Sequence, residues 1–324
     1  MKTAVLLLML LPLVSTARAG DRLALGAAVD GLPSPASLEK TARDMGFRPA
    51  VVVFFLQWPD DPKDRNFPEK ALAAVDAFGA TPVLTWEPMT IRAGKEAAIP
   101  GRAILDGEYD AYILDFAARA KAFGKPLILR FAHEMNLDRY HWGSAKKEYG
   151  PGSPALYKKL FRRVADLFRR AGANNVRFAF CPNAESRPDE PWNALSAYYP
   201  GDAYVDILGL DGYNFGASMT LAEHGWTSVF RSFPELFGAA FRRMRALSPE
   251  KPFFVFETAC AESGGDKSAW VKDMIGTLIA WQAAGFAWFE ADKETDWRLG
   301  KGLSSDALGY LKSVAAPDAE RLFR

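Results

Sequence analysis

Eight short apolar runs, separated by stretches of helical periodicity, constrain this fold more than any other feature of the chain. They are Leu23 to Val29, Ala50 to Phe55, Thr81 to Trp86, Pro126 to Phe131, Val176 to Phe180, Val205 to Leu210, Phe253 to Glu257 and Phe286 to Phe289. Each has the length of a strand and is bounded by Pro, Gly or charge. The unbroken hydrophobicity of Val51-Val52-Val53-Phe54-Phe55 indicates burial on both faces, as in a parallel sheet. Helical segments are predicted at Pro68 to Phe78, Gly107 to Phe123, Ser153 to Arg170, Phe233 to Leu247, Lys267 to Ala284 and Asp306 to Val314. Their apolar positions fall three and four apart, as in Leu156, Leu160, Val164 and Phe168.

Eight such units predict an α/β fold, a single-domain (β/α)8 TIM barrel. A doubly wound open sheet is the competing arrangement, and the lack of a Gly-rich phosphate loop after the first run argues against it. No linker, low-complexity tract or repeat divides the chain, so one catalytic barrel is expected over residues 20–324. Residues 1–19 carry Lys2, an apolar run from Ala4 to Val14, and Ala17-Arg18-Ala19, the pattern of a cleavable secretory signal. That run is shorter than the roughly 20 residues of a membrane span, which argues against a retained anchor. The expected destination is therefore secreted or periplasmic.

Composition serves mainly to exclude. The formal charge of +1 becomes −1 without Lys2 and Arg18, so neither nucleic acid nor an anionic membrane is an expected partner, and a monomer is expected. Aromatic residues at 13% leave rings for a binding surface beyond those a core needs. Cys181 and Cys260 are too few for a disulfide framework; two buried thiols and one bridge both remain open.

In a TIM barrel the active site lies at the C-terminal ends of the strands. Here those ends carry Thr85-Trp86-Glu87-Pro88, Arg130 to Asn136, Cys181-Pro182-Asn183, Asp211-Gly212-Tyr213-Asn214, Glu257-Thr258 and Trp288-Phe289-Glu290. Carboxylates, amides and aromatics thus converge on one mouth. Glu134 and Glu257 close the fourth and seventh runs, three apart around the ring, and their side chains can face each other across the mouth. Two carboxyls roughly 5 to 5.5 Å apart are what double displacement at a glycosidic carbon requires. Partnering a buried arginine, or sitting satisfied on the rim, is the alternative role for either one.

Other chemistries find less support. His133-Glu134 lacks the second histidine of a zinc-binding helix, since position 137 is Leu. With only His133, His141 and His224 in the chain, no metal or organic cofactor is expected. No Gly-x-Ser-x-Gly elbow occurs. Trp86, Tyr140, Trp142, Tyr213, Trp288 and Trp297 are the aromatics near the mouth, each either core or a platform for apolar sugar faces. Trp142 and Trp288 are favoured as platforms by their polar or strand-end neighbours.

At these residues the chain resembles glycoside hydrolase family 26, which contains β-mannanases, lichenases and β-1,3-xylanases. Leu129-Arg130-Phe131-Ala132-His133-Glu134-Met135-Asn136, followed by Tyr140 and Trp142-Gly143, is similar to that family's acid/base motif. Thr85-Trp86-Glu87-Pro88 is similar to the pattern of lichenase-like members, and Tyr199 to Tyr213 and Lys293 to Arg298 match further family regions. The resemblance implies Glu134 as acid/base and Glu257 as nucleophile, oriented by Tyr213. It also implies that His133 and Asn136 line the central sugar subsite, that Trp288 is its stacking floor, and that Arg130 supports the carboxylates. Trp86, Glu87, Trp142 and Asn183 complete the expected substrate-binding set. The chain departs from the pattern at Leu137, Arg139 and His141, in the loop after the acid/base, and at Ala259. These positions bear on the choice of sugar and remove no reacting group.

The expected activity is retaining endo-hydrolysis of a β-linked polysaccharide, a mixed-linkage β-glucan or a β-mannan. A non-catalytic polysaccharide-binding barrel in exopolysaccharide export or assembly, or a transglycosylase using the same carboxylates, is the alternative.

Overall fold

The computed structural model describes residues 22–143 and 150–323; the signal expected at residues 1–19 lies outside them. Eight parallel strands close into a barrel: β1 (Ala24–Ala28), β2 (Val51–Gln57), β3 (Thr81–Glu87), β6 (Leu127–Phe131), β7 (Val176–Phe180), β8 (Ile207–Asn214), β9 (Phe253–Cys260) and β10 (Gly285–Phe289). They follow one another around the ring in sequence order, β10 pairing with β1. Among the described residues only β4 (Met89–Arg92) and β5 (Lys95–Ala98) stand outside it, as an antiparallel hairpin. The (β/α)8 architecture expected from the spacing is the architecture found.

Helices surround the strands: α1 (Pro35–Met45), α2 (Glu69–Ala77), α3 (Gly101–Asp106), α4 (Asp110–Phe123), α5 (Ser153–Ala171), α7 (Phe233–Leu247), α8 (Lys267–Ala280) and α9 (Ser305–Ser313), while the short α6 (Leu221–His224) lies exposed in the loop after β8. The stripe read from α5 is buried at Leu160, Val164 and Phe168, and Gly172 ends the helix in the left-handed conformation. Helix α8 stops four residues before the expected end, and Gln282 takes a left-handed φ of 55° in the turn that follows. Helices α1, α3 and α6 and the hairpin were absent from the sequence reading. Helix α1 starts inside Pro-Ser-Pro, where Ser34 and Ser37 form a reciprocal capping box and Pro35 occupies the first turn. The hairpin turns on Ala93 and Gly94, both left-handed, as a tight two-residue loop demands.

Strands β8 and β9 run beyond their expected ends, so Asp211 and Glu257 lie within strands. Their pairing slips by one residue, from Leu210 opposite Val255 to Asp211 opposite Glu257, which leaves Phe256 as the extra residue of a bulge. A bulge breaks the alternation of side chains, so Phe256 and Glu257 both reach the barrel interior. The Phe256 ring lies 5.8 Å from the Arg130 guanidinium. Room for that ring comes from Gly209 on β8, where a Cβ would sit 2.3 Å from it. Gly209→Ala is expected to cost about 1–3 kcal/mol through overpacking. Urea denaturation measures this, and an unchanged midpoint would mean that the ring yields freely.

Candidate active site

At the C-terminal mouth the barrel opens into a cavity of about 660 Å³, with Glu87, Glu134, Asn183, Tyr213 and Glu257 in its wall. Beneath it lies Arg130, fully buried on β6. Its guanidinium donates to Asp211 Oδ2 at 2.6 Å, to Thr85 Oγ1 at 2.8 and 2.6 Å, and to Glu257 Oε1. Burial works against its charge, and Asp211 and Glu257 outweigh that penalty and hold it protonated. The other Glu257 oxygen, Oε2, accepts the Tyr213 hydroxyl proton. Both carboxylate oxygens of Glu257 are therefore fixed in direction.

Glu134 is held by a different device. It follows β6 in a loop where Ala132 and Glu134 both adopt left-handed φ of 49°, a conformation that costs non-glycine residues about 1 kcal/mol or more. Hydrogen bonds tie this loop to its neighbours: Ala132 N donates to Trp86 O at 3.1 Å and Glu134 N to Cys181 O at 2.9 Å. The carboxyl accepts Asn183 Nδ2 at 2.7 Å. Burial, and then the nearby Glu257, push its pKa up to about 7. Glu87, bonded to Gln57 Nε2, is likewise pushed up to about 7, chiefly by burial.

The remaining expected binding residues divide by strand parity, since successive side chains point to opposite faces. Glu87 faces the cavity, so Trp86 faces outward, where its Nε1 bonds Tyr112 Oη on α4 and its ring packs on Phe116. Phe289 lines the cavity, so Trp288 turns outward, donating to Trp297 O at 2.7 Å and meeting Trp270 of α8. Trp142 is buried too, its Nε1 on His133 O at 2.7 Å and its ring stacked on Tyr140. These three indoles are core, in correction of their expected place in the cleft. Neither His133 nor Asn136 lines the cavity: both are buried behind its wall. Asn136 instead builds the wall, its Nδ2 donating to Asn183 O and its Oδ1 accepting Asn183 N, so it sets the amide that reaches Glu134. The rings that do face the cavity include Phe55, Tyr140, Phe215, Trp226, Phe289 and Trp297. Phe215 and Trp226 lie on a long loop without periodicity, so no pattern in the chain marks them; Phe289 was one parity step from the residue expected.

Two loops meet across one side of the cavity. Glu96 of β5 accepts both Nη atoms of Arg139 at 3.0 Å and lies 3.2 Å from His141 Nε2. Thus two of the residues that depart from the family pattern are those the hairpin holds. His133, Asp211 and Glu257 bring ligand-type atoms within 4.8 Å of one another, yet Arg130 is bonded to both carboxylates, and a cation there would meet a guanidinium. Cys181 and Cys260 are free, buried thiols, which settles their pairing.

Comparison with known proteins places the chain in a family. The family model for glycosyl hydrolase family 26 matches residues 101–244, which include Arg130, Glu134 and Asp211. Endoglucanase H of Acetivibrio thermocellus is 31% identical over 299 residues, 91% of this chain. The chain belongs to glycosyl hydrolase family 26. Within it, a mannan endo-1,4-beta-mannosidase of Bifidobacterium adolescentis is 29% identical over 175 residues, 48% of this chain and 17% of that protein. The family 26 chain described here spans only 30% of the length of Endoglucanase H. Among solved structures, the Bacillus subtilis mannanase BCman matches with a TM-score of 0.63 at 19% identity, covering 90% of this chain and 85% of that one. A modular endo-beta-1,4-mannanase from Cellulomonas fimi gives 0.65 at 19%, over 93% and 73%. These likenesses establish the barrel.

Removing the guanidinium should expose how much rests on it. Arg130→Met leaves two buried carboxylates without their cation and is expected to cost about 3–5 kcal/mol. Adding Asp211→Leu should return part of that loss in chemical denaturation; two independent, additive losses would contradict a shared ion-pair centre.

Proposed function

We propose that this family 26 barrel hydrolyses an internal β-linkage of a glucan or mannan with retention, through a covalent glycosyl-enzyme intermediate. The supporting observation is the contrast between two carboxyl groups in one cavity. Glu257 is fixed by a guanidinium and a phenol, while Glu134 is buried and held near pKa 7. Glu257 is then the nucleophile: its oxygen attacks the anomeric carbon while Glu134 gives its proton to the departing glycosidic oxygen. In the second step Glu134 takes a proton from water, and that water's oxygen displaces Glu257. Tyr213 and Arg130 keep the attacking carboxylate aimed, and Asn183 does the same for the acid. Rings such as Trp297 and Tyr140 offer flat apolar surface to the sugars.

The names of the relatives favour a β-glucan or a β-mannan as the polymer, and the leader-like residues 1–19 favour action outside the cytoplasm. Sizing the products from lichenan, mannan, xylan and glucomannan tests the substrate; a ladder of intermediate lengths is expected from at least one of the first two.

Two further outcomes test the mechanism. Glu257→Ala and Glu134→Ala should each lower turnover by about 10²-fold or more, and azide should restore only the latter on an activated glycoside. Wild-type rates in either variant would refute the assignment. The pH profile has a definite sign: the first step needs protonated Glu134, so kcat/KM should fall as pH rises through about 7. A plateau extending well above that pH would remove Glu134 from the acid role.

A further inference from the structure

A third carboxyl faces the acid through His133, which has no task in the mechanism above, and through the hydroxyl of Tyr140. His133 is buried and lies between Glu87 and Tyr140: its Nε2 is 3.0 Å from Tyr140 Oη, and its Nδ1 is 4.0 Å from Glu87 Oε1. That Nδ1 has no hydrogen-bond partner, although it is fully buried. Tyr140 in turn adjoins Glu134 and helps to lower its proton affinity. We propose that Glu87, His133, Tyr140 and Glu134 form a proton-sharing line, in which Glu87 is a positioning residue that sets the protonation state of the acid.

The exchange balances atom by atom. With Glu134 protonated, its O–H donates to Tyr140 Oη, Tyr140 O–H donates to His133 Nε2, and His133 Nδ1–H faces the Glu87 carboxylate. Transfer breaks the Glu134 O–H bond and forms one on Tyr140, whose original proton passes to Nε2. The Nδ1 proton leaves for Glu87, directly on a small approach or through one water. One proton has moved from Glu134 to Glu87, one negative charge has moved the other way, and the imidazole has changed only its tautomer.

The surroundings suit this exchange. His133 is kept neutral by burial and by Arg130 and Arg139, so it passes a proton without becoming a lasting cation. Glu87 faces Gln57, Arg130, Glu257 and Glu96; Glu134 faces Asn183, Arg130 and Glu257. Tyr140 faces Glu134, Glu257, Glu87 and Asp211, and its own ionisation is pushed well up by burial. Glu87 and Glu134 are lifted to the same range, about 7, so neither end of the line captures the proton outright.

The inference builds on Glu134 as the acid, yet its test needs no turnover. In the wild-type chain, ¹⁵N NMR of His133 in the pH range where the two carboxyls hold one proton between them should show a neutral ring with both tautomers populated. A single tautomer throughout would overturn the line. Carboxyl ¹³C NMR of the ligand-free protein, assigned with Glu134→Gln and Glu87→Gln, supplies the second reading. In Glu87→Gln the Glu134 midpoint should move to lower pH by about half a pH unit and sharpen to one step. In Tyr140→Phe, adding Glu87→Gln should move it no further. An equal shift in both backgrounds would mean that Glu87 acts as a through-space charge alone, and the line would be wrong.

Discussion

One buried guanidinium organises this barrel's mouth. Arg130 rises from β6 into an interior where its oxygen partners are side chains of other strands: Thr85 from β3, Asp211 from β8 and Glu257 from β9. Burying one cation with two anions is tolerable only when hydrogen bonds replace the lost water on all three. The fold meets that demand by tying together strands remote in the chain. The carboxylate assigned the attacking role thus stands where electrostatics needs it, and the bulge at Phe256 lets β9 deliver it there without ending early.

Glu134, the proposed acid, shows the complementary strategy. Glu134 sits on strained backbone, two left-handed residues within three, and its support is neutral: an amide from Asn183, itself oriented by the buried Asn136. Neutral support and burial favour the protonated carboxyl, whereas ionic support fixes an anion. Two glutamates of one cavity acquire different characters from the groups around them.

The barrel was legible because buried parallel strands and amphipathic helices write their period directly into the chain. That Glu134 and Glu257 share one cavity was legible as well, since both stand at or just beyond the close of apolar runs. Orientation was harder to read. Trp86 and Trp288 adjoin cavity residues in sequence, yet a strand's alternation turns them into the shell of helices, and a motif does not record which parity is inward. Asn136 looked like a ligand for sugar and proved to be scaffolding, because a buried amide with four polar neighbours cannot be told from a binding amide by spacing. Helix α1 was hidden by prolines that mark its start, and the hairpin by a turn lacking Asn-Gly or Asp-Gly.

The clasp between Glu96 and Arg139 carries an evolutionary consequence. Residues on the loop after the acid are fastened to a hairpin that enters the chain some forty positions earlier, so neither segment can drift alone. Grafting a relative's loop into this barrel without its matching hairpin would strand one charge of the clasp. These two segments at the cavity's edge are matched to each other by charge.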